Sequence, residues 1–79
     1  TSSSLVRLTL RGSDRLAIIY DITRTISLIL CVNIHSFYLV THDNIFDASL
    51  EVYVQNHNDL NNLVEQLKMI KGMDTVKKA

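Results

Sequence analysis

Residues 12–22 decide how this chain folds, and they read Gly12-Ser13-Asp14-Arg15-Leu16-Ala17-Ile18-Ile19-Tyr20-Asp21-Ile22. An alternating run precedes this stretch and a helical pattern follows it, which indicates a turn from a strand into a helix. Gly12 is expected to let the backbone leave the strand in a conformation that other residues resist. Ser13 or Asp14 is expected to cap the helix by accepting hydrogen bonds from its first N–H groups. The start of such a helix favours a small anion such as a carboxylate, and an ordinary capped helix fits the same residues.

The elements on either side of this turn follow from hydrophobic periodicity. Alternation over Leu5 to Arg11 predicts a strand that buries Val6, Leu8 and Leu10. From Leu16 to Leu30, apolar residues recur at steps of three and four and predict the first helix. Its predicted buried stripe is Ile19, Ile22, Ile26 and Ile29, with Ile18 and Leu30 beside it.

The next segment predicts a hairpin. Asn33 to Thr41 is rich in β-branched and aromatic residues, which favour a strand, although its core face is not decided by the pattern. His42-Asp43-Asn44 is typical of a tight turn, because Asp and Asn tolerate the left-handed conformation. Phe46 to Val54 then alternates, and its predicted inward side chains are Phe46, Ala48, Leu50, Val52 and Val54.

A second helix and a last strand complete the pattern. Asn58 is the expected N-cap of the helix, and Gly72 is expected to end it. Met73 to Lys78 reads as a short strand with Val76 in the core. The predicted buried stripe of the helix is Leu60, Leu63, Val64, Leu67 and Ile70.

The resulting order is strand–helix–strand–strand–helix–strand. It predicts an α+β fold, a ferredoxin-like βαββαβ sandwich whose four-stranded antiparallel sheet carries both helices on one face. Residues 5–79 are expected to form one domain, and residues 1–4 a disordered end or linker remnant. The outer face of the sheet is then mixed in character, with Arg7, Thr9, Arg11, Glu51 and Tyr53.

Composition narrows the class of protein. Eight basic and eight acidic side chains balance, whereas a nucleic-acid-binding domain usually carries a basic excess. The first strand also lacks the stacking aromatics of the RNA-recognition fold, which shares this element order. The single cysteine, Cys31, fits a reducing compartment, and with no visible signal peptide and no membrane-spanning run we expect a cytoplasmic protein.

The residues predict no catalytic or metal chemistry. The three histidines fall in three different predicted elements, and one cysteine does not make a zinc or iron–sulfur pattern. A phosphate-binding P-loop is missing from the sequence. We therefore expect no cofactor, no metal and no catalytic residue in this chain.

Residues 14–22 resemble the D-R-x-G-[LI]-[LI]-x-D-I signature of ACT domains, which are small regulatory modules. Over residues 5–78 the chain is most similar to the C-terminal ACT domain of RelA/SpoT-type GTP pyrophosphokinases, the stringent-response enzymes that make and degrade (p)ppGpp. Two family glycines are Ala17 and Ala48 here. The other supporting stretches are Asp21-Ile22-Thr23, Asn33-Ile34-His35-Ser36, Ile45-Phe46-Asp47-Ala48, Leu50-Glu51-Val52-Tyr53-Val54, Asp59-Leu60-Asn61-Asn62-Leu63 and Leu67-Lys68-Met69-Ile70-Lys71-Gly72-Met73-Asp74-Thr75-Val76-Lys77.

This resemblance implies a non-catalytic regulatory domain of a bifunctional (p)ppGpp synthetase/hydrolase. The parent enzyme would transfer pyrophosphate from ATP to GTP or GDP, and the domain would contact the other parent domains and, through the parent, the ribosome or tRNA. The alternative is an amino-acid-sensing ACT domain of an amino-acid metabolic enzyme. Either way, the resemblance places a regulatory ligand or interface at Gly12, Ser13, Asp14, Arg15, Ala17, Ile18, Asn33 and Ile34.

Two further expectations concern Ala17 and self-association. The methyl group of Ala17 is expected to crowd a ligand, so that amino acids bind weakly or not at all. As a helical residue it is also expected to stabilise the helix over glycine, so that Ala17→Gly lowers stability. A small core and exposed apolar residues predict a homodimer, through sheet edges, helix faces or both. The candidate dimer contacts are Ala17, Leu28, Phe37 and Tyr38.

Overall fold

A computed structural model describes residues 3–29 and 32–79, with the backbone alone at residues 28 and 29. The sheet has the order β2-β3-β1-β4, and each neighbouring pair is antiparallel. Both helices pack on one face of it, which confirms the predicted ferredoxin-like βαββαβ arrangement. The elements are β1 (Ser4–Ser13), α1 (Ile18–Arg24) continued by a π-helical segment (Thr25–Ile29), β2 (Asn33–His42), β3 (Ile45–Val54), α2 (His57–Lys68) and β4 (Met73–Lys78).

The core lies between the helices and the inner face of the sheet. The alternation predicted for β1 and β3 is confirmed, because Leu8, Leu10 and all five inward side chains of β3 are buried and Val6 is half-buried. Val76 is the buried residue of β4, as predicted. The residues that are almost fully enclosed are Leu8, Leu10, Ile22, Ile26, Phe46, Leu50, Val52, Leu63 and Leu67.

The inner face of α1 differs from the prediction by one residue. The helix begins at Ile18 rather than at Leu16, and it buries Ile18, Ile22 and Ile26 at steps of four. Ile19, predicted to lie in the core, is 49% exposed. Each residue turns a helix by about 100°, so a change of one position is enough to move a side chain from core to surface.

The cap of α2 also differs from the prediction. Asn56, rather than Asn58, is the N-cap, and its Oδ1 accepts a hydrogen bond from the N–H of Asp59 at 2.9 Å. The helix ends at Lys68, before the turn that contains Gly72. Leu60, Leu63 and Leu67 form its buried stripe, and the half-buried Val64 and Ile70 pack beside them.

The turn of the hairpin between β2 and β3 is confirmed. Asp43 and Asn44 have φ values of 51° and 66°, which is the conformation of a type I′ turn.

β1 already begins at Ser4, the last residue of the segment expected to be a disordered end. Expectations for Thr1, Ser2, Leu30 and Cys31, and for the side chains of Leu28 and Ile29, lie outside what the structure describes. Along the described ranges, no helix has the length and apolar character that crossing a membrane requires.

Candidate regulatory site at the turn into the first helix

Three turns meet at the end of the sheet where β1 leads into α1. The N–H of Ser13, the last residue of β1, donates to the carbonyl of Gly72 at 2.8 Å, in the turn between α2 and β4. The N–H of Asp14 donates to the carbonyl of Asn44 at 3.0 Å, in the hairpin turn. Main-chain hydrogen bonds at Ser13 and Asp14 therefore anchor the start of residues 14–17, here called the β1–α1 loop, to both neighbouring turns.

Gly12 was expected to leave the strand, but it does not. It stays in β1, opposite Phe46 on one side and Met73 on the other. A glycine is needed at position 12 because the turn at Gly72 approaches the strand closely. A Cβ on residue 12 would lie 2.1 Å from the carbonyl oxygen of Gly72 and 2.8 Å from the Phe46 ring. The prediction of a special conformation at Gly12 is wrong, since steric contact with a neighbouring turn selects this residue.

Arg15 fixes the β1–α1 loop. Its Nε donates to the carbonyl of Lys71 at 2.7 Å, its Nη1 to the carbonyl of Leu16 at 2.9 Å, and its Nη2 to Oδ2 of Asp21 at 2.5 Å. A guanidinium can bond three acceptors at once because its donors lie in a fixed plane. The side chains of Arg15 and Asp21 are partly shielded from solvent, with 28% and 35% exposure. This one side chain therefore ties the loop to α1 and to the turn before β4.

Asp14 was expected to cap the helix, and that prediction is wrong. The N-cap residue of α1 is Ala17, and among the described residues no side chain caps this helix. The N–H of Ile18 is bonded to the carbonyl of Arg15 at 3.2 Å instead. The helix begins two residues later than predicted, so the carboxyl of Asp14 is too far back in the chain to serve as its cap.

Ala17 occupies a left-handed conformation, with φ 68° and ψ 13°. A non-glycine residue pays roughly 1–2 kcal/mol for this conformation, because its Cβ crowds the following carbonyl. Ala17 is therefore not a helical alanine, and the expectation that its methyl stabilises the helix is wrong. The position instead suits glycine, which is the residue that the family signature carries there.

The surface of the loop is mainly apolar. An open groove of about 370 Å³ is lined by residues 14–19. Leu16 is 94% exposed. Ile19 and Tyr20 of α1, three and four positions further along the chain, are exposed as well. The N–H groups of Ser13, Asp14 and Ile18 are bonded within the chain, whereas those of Leu16 and Ala17 have no partner among the described residues.

Within one chain, the predicted site residues do not all meet. Asn33 lies opposite Tyr53, and Ile34 opposite Val52, at the end of the sheet away from the β1–α1 loop. The loop follows Ser13, which pairs with Ile45 at the other end of β3. A ligand bound against the loop would therefore not touch Asn33 or Ile34 of the same chain.

The candidate dimer contacts also lie on separate surfaces. Ala17 is in the loop, Phe37 is half-buried against the core, and Tyr38 is 66% exposed on the outer face of the sheet. Phe37 and Tyr38 are neighbours in a strand, so their side chains point to opposite faces. The side chain of Leu28 is outside the described part of the structure.

Ion pairs cross the outer face of the sheet. Arg7 contacts Glu51 at 2.8 Å, and the Ser36 hydroxyl donates to the other oxygen of Glu51 at 2.7 Å. The hydrogen bond from Ser36, followed by that from Arg7, holds the pKa of Glu51 below its usual value of 4.5. Asp47 is shared by Arg11 at 3.5 Å and His42 at 2.9 Å.

The described residues contain no group of three or more histidine, cysteine or acidic side chains able to hold a metal ion.

The sequence placed Arg15 in a candidate regulatory ligand site or interface, but it gave no indication that Arg15 fixes the loop. The available signal was a basic residue just before a helix with an acidic residue, Asp21, in the first turn of that helix. Periodicity gives no indication that the carbonyl of Lys71, 56 positions away, would be the third partner. The contact depends on where two distant turns meet in the folded chain.

Comparison with known proteins places this architecture in context. A family model described as the ACT domain matches residues 1–77. The crystal structure of the ACT domain from GTP pyrophosphokinase of Chlorobium tepidum is similar, with 28% identity, a TM-score of 0.89, and coverage of 99% of this chain and 100% of that one. No curated protein matches the chain.

Two more distant structures share the fold alone. A homoserine dehydrogenase from Thiobacillus denitrificans is 18% identical, with a TM-score of 0.78 over 96% of this chain and 17% of that one. An ACT domain protein from Streptococcus pneumoniae is 19% identical, with a TM-score of 0.73 over 100% of this chain and 92% of that one.

Proposed function

This chain belongs to the ACT domain family, and on that basis we propose that it is the regulatory and docking domain of a bifunctional (p)ppGpp synthetase/hydrolase. Its similarity to the ACT domain of a GTP pyrophosphokinase over the whole chain supports this parent. The parent would act in the cytoplasm in the stringent response. The domain itself would carry no catalytic residue and would act through contacts with other domains, with the ribosome or tRNA, and with a second copy.

The observation that carries this proposal is that the Arg15 side chain in the β1–α1 loop is already fully engaged in hydrogen bonds within the chain. Arg15, the cation best placed to receive a carboxylate, is already bonded to Asp21 and to two carbonyls. A free amino acid would have to displace the Asp21 carboxylate from it. Apolar side chains meanwhile face solvent around the loop, Leu16 most of all. A surface whose cation is already paired and whose apolar side chains are exposed favours contact with a protein over capture of a small anion.

Self-association is supported by the free edge of β2. A two-residue turn closes the hairpin between His42 and Ile45, so these two residues exchange hydrogen bonds. The N–H and C=O groups of Phe37, Leu39 and Thr41 then point away from β3. The strand contains no Lys, Arg, Asp or Glu among its ten residues. A long edge without lysine, arginine or acidic residues is a template for pairing with another chain, and we propose that a second copy pairs there.

Antiparallel pairing of two β2 strands would also complete the candidate site. With Leu39 opposite Leu39 of the second copy, Tyr38 lies opposite Val40, and both are exposed in the single chain. The start of one β2 then lies beside the end of the other. Asn33 and Ile34 of the second copy would thus reach the end of the sheet that holds the β1–α1 loop. Candidate residues that are apart in one chain would meet across the dimer.

The alternative, an amino-acid sensor, is favoured by one observation. In the described part of the loop, the N–H groups of Leu16 and Ala17 have no hydrogen-bond partner. They line the groove, and in the proposed dimer Asn33 of the second copy would approach them. This geometry offers two donors for a ligand carboxylate without displacing Asp21.

Titration calorimetry with the common amino acids separates the two functions. A docking domain is expected to bind none of them more tightly than about 1 mM. Saturable binding in the micromolar range, with chemical-shift changes centred on residues 12–18, would contradict the docking proposal and support the sensor. In the full-length parent, deletion of residues 5–79 is expected to change the ratio of (p)ppGpp synthesis to hydrolysis without abolishing both activities.

A further inference from the structure

The two edges of the sheet are built differently. β2 runs for ten residues without a lysine, an arginine or an acidic residue, whereas β4 has six residues and ends in Lys77 and Lys78. We propose that these two lysines, together with a bulge at Asp74, block the β4 edge, so that assembly through β2 stops at two copies. This inference rests on the homodimer proposed above and names what limits it.

The main chain of β4 is itself ready to pair. The N–H of Ala79 donates to the carbonyl of Arg7 at 2.9 Å, which shows that Ala79 faces β1. Since directions alternate along a strand, the N–H and C=O groups of Val76 and Lys78 point to solvent. An open groove of about 470 Å³ runs beside this edge, with the apolar side chains of Leu60, Val64 and Val76 in its lining. An added strand would find free hydrogen-bonding groups and an apolar surface.

The charges oppose such a strand. Two copies of β4 related by a two-fold axis can pair with Lys77 opposite itself, which places two ammonium groups directly across from each other. They can also pair with Val76 opposite itself, which sets Lys78 against Asp74 of the other copy. Asp74, however, is the extra residue where the ladder shifts between Thr75 and Met73, so it is out of line with the edge. The favourable register is therefore distorted and the undistorted register is repulsive.

Blocking this edge has a consequence for the size of the assembly. A two-fold contact at β2 and another at β4 would alternate without closing, and the sheet would extend into an open ribbon. Lysines and bulges on an edge are devices that prevent this kind of growth. In β2, by contrast, the run from Ser36 to His42 pairs with β3 in unbroken register, and its edge is open to a single partner.

The test compares Lys77→Thr/Lys78→Thr with the charge-retaining Lys77→Arg/Lys78→Arg by sedimentation over a range of concentrations. The wild type and the arginine variant are expected to stop at twice the mass of one chain. The threonine variant is expected to exceed that mass, increasingly so with concentration, and to bind thioflavin T. Adding Thr41→Pro, which removes an N–H on the free side of β2, should return it to twice the mass of one chain.

The masses of these variants test the blocked β4 edge and the homodimer separately. A threonine variant that stays at twice the mass of one chain would overturn the blocked edge, and so would large species that persist after Thr41→Pro is added. A wild type that is monomeric would overturn the homodimer instead. If the wild type is monomeric, the threonine variant should still form a dimer through β4 while the arginine variant stays monomeric. A monomeric threonine variant would then contradict the proposal that the lysines block the β4 edge.

Discussion

The carbonyl oxygen of Gly72 lies 2.1 Å from the point where a Cβ on Gly12 would stand. The same oxygen accepts the N–H of Ser13 at 2.8 Å, so the end of β1 rests directly on the turn before β4. Gly72 adopts a φ of 95°, a conformation that favours glycine, and Arg15 lies over its other side. The two glycines of the chain thus form one backbone contact that sets the position of the β1–α1 loop.

Gly12→Ala is expected to destabilise the domain strongly. The added methyl would overlap the Gly72 carbonyl and press on the buried ring of Phe46. Overpacking of this kind reduces the free energy of unfolding by about 1–3 kcal/mol or more. Urea denaturation measures the effect, with Ser13→Ala as the control because the Ser13 side chain is exposed. Equal midpoints for the two variants would contradict the backbone contact.

Ala17→Gly is expected to raise stability, the opposite of what a helical alanine would give. At φ 68° the alanine methyl is strained, and glycine removes a penalty of roughly 1 kcal/mol. Ala17→Val is the matched variant, because a β-branched side chain fits this conformation worst and should lower stability. Thermal unfolding of both variants checks the order. A loss of stability in Ala17→Gly would show that position 17 is not left-handed.

Arg15→Lys is expected to loosen the β1–α1 loop although the charge is kept. Lysine does not reproduce the planar set of donors that reaches Lys71, Leu16 and Asp21 together. Loss of hydrogen bonds to a charged group typically reduces the free energy of unfolding by about 1–3 kcal/mol. Arg24→Lys serves as the control, because Arg24 is exposed and makes no ion pair among the described residues.

Arg15 and Asp21 are also expected to be energetically coupled. In a double-mutant cycle with Asp21→Asn, the effects of the two substitutions should not add, because both remove the same contact. Amide exchange in the loop should speed up in each single variant. Additive effects with unchanged loop exchange would show that the Arg15–Asp21 pair does not hold the loop.

Stability should fall at acid pH partly through Glu51. Hydrogen bonds from Ser36 and Arg7 keep the pKa of this carboxyl below 4.5 in the folded chain. A depressed pKa contributes stability that is present above the unfolded value and is lost as the pH falls through the folded value. As the pH falls from 6, the free energy of unfolding should therefore decrease less in Glu51→Gln than in the wild type. The exposed Glu65 supplies the control variant, Glu65→Gln, and an identical acid slope in all three proteins would contradict this role of Glu51.

The strands were predictable because each buries one face and therefore alternates with a period of two. The alternation of β3 from Phe46 to Val54 gave every inward residue correctly. The turn Asp43-Asn44 was predictable for a different reason, since its residue types tolerate positive φ. Element order and fold followed from these local signals alone.

The details of the loop were not predictable in the same way. Residues 16–19 are apolar at positions that fit a helix beginning at Leu16, and nothing local marks Ala17 as left-handed. The one-residue error at Ile18 and Ile19 followed from that start. The contact of Arg15 with the Lys71 carbonyl depends on the packing of two distant turns, which periodicity does not encode. The structural roles expected of Asp14 and Ala17 were therefore wrong, and the position of the candidate site stays a prediction.

The homodimer through β2 is the central claim, and it is tested most directly by amide chemical shifts on dilution. Spectra recorded from about 1 mM down to about 10 µM should show concentration-dependent shifts. We predict that these shifts centre on residues 36–42 and that Thr41→Pro abolishes them. Shifts that do not change with concentration, or changes that centre on another surface and survive Thr41→Pro, would contradict pairing through β2.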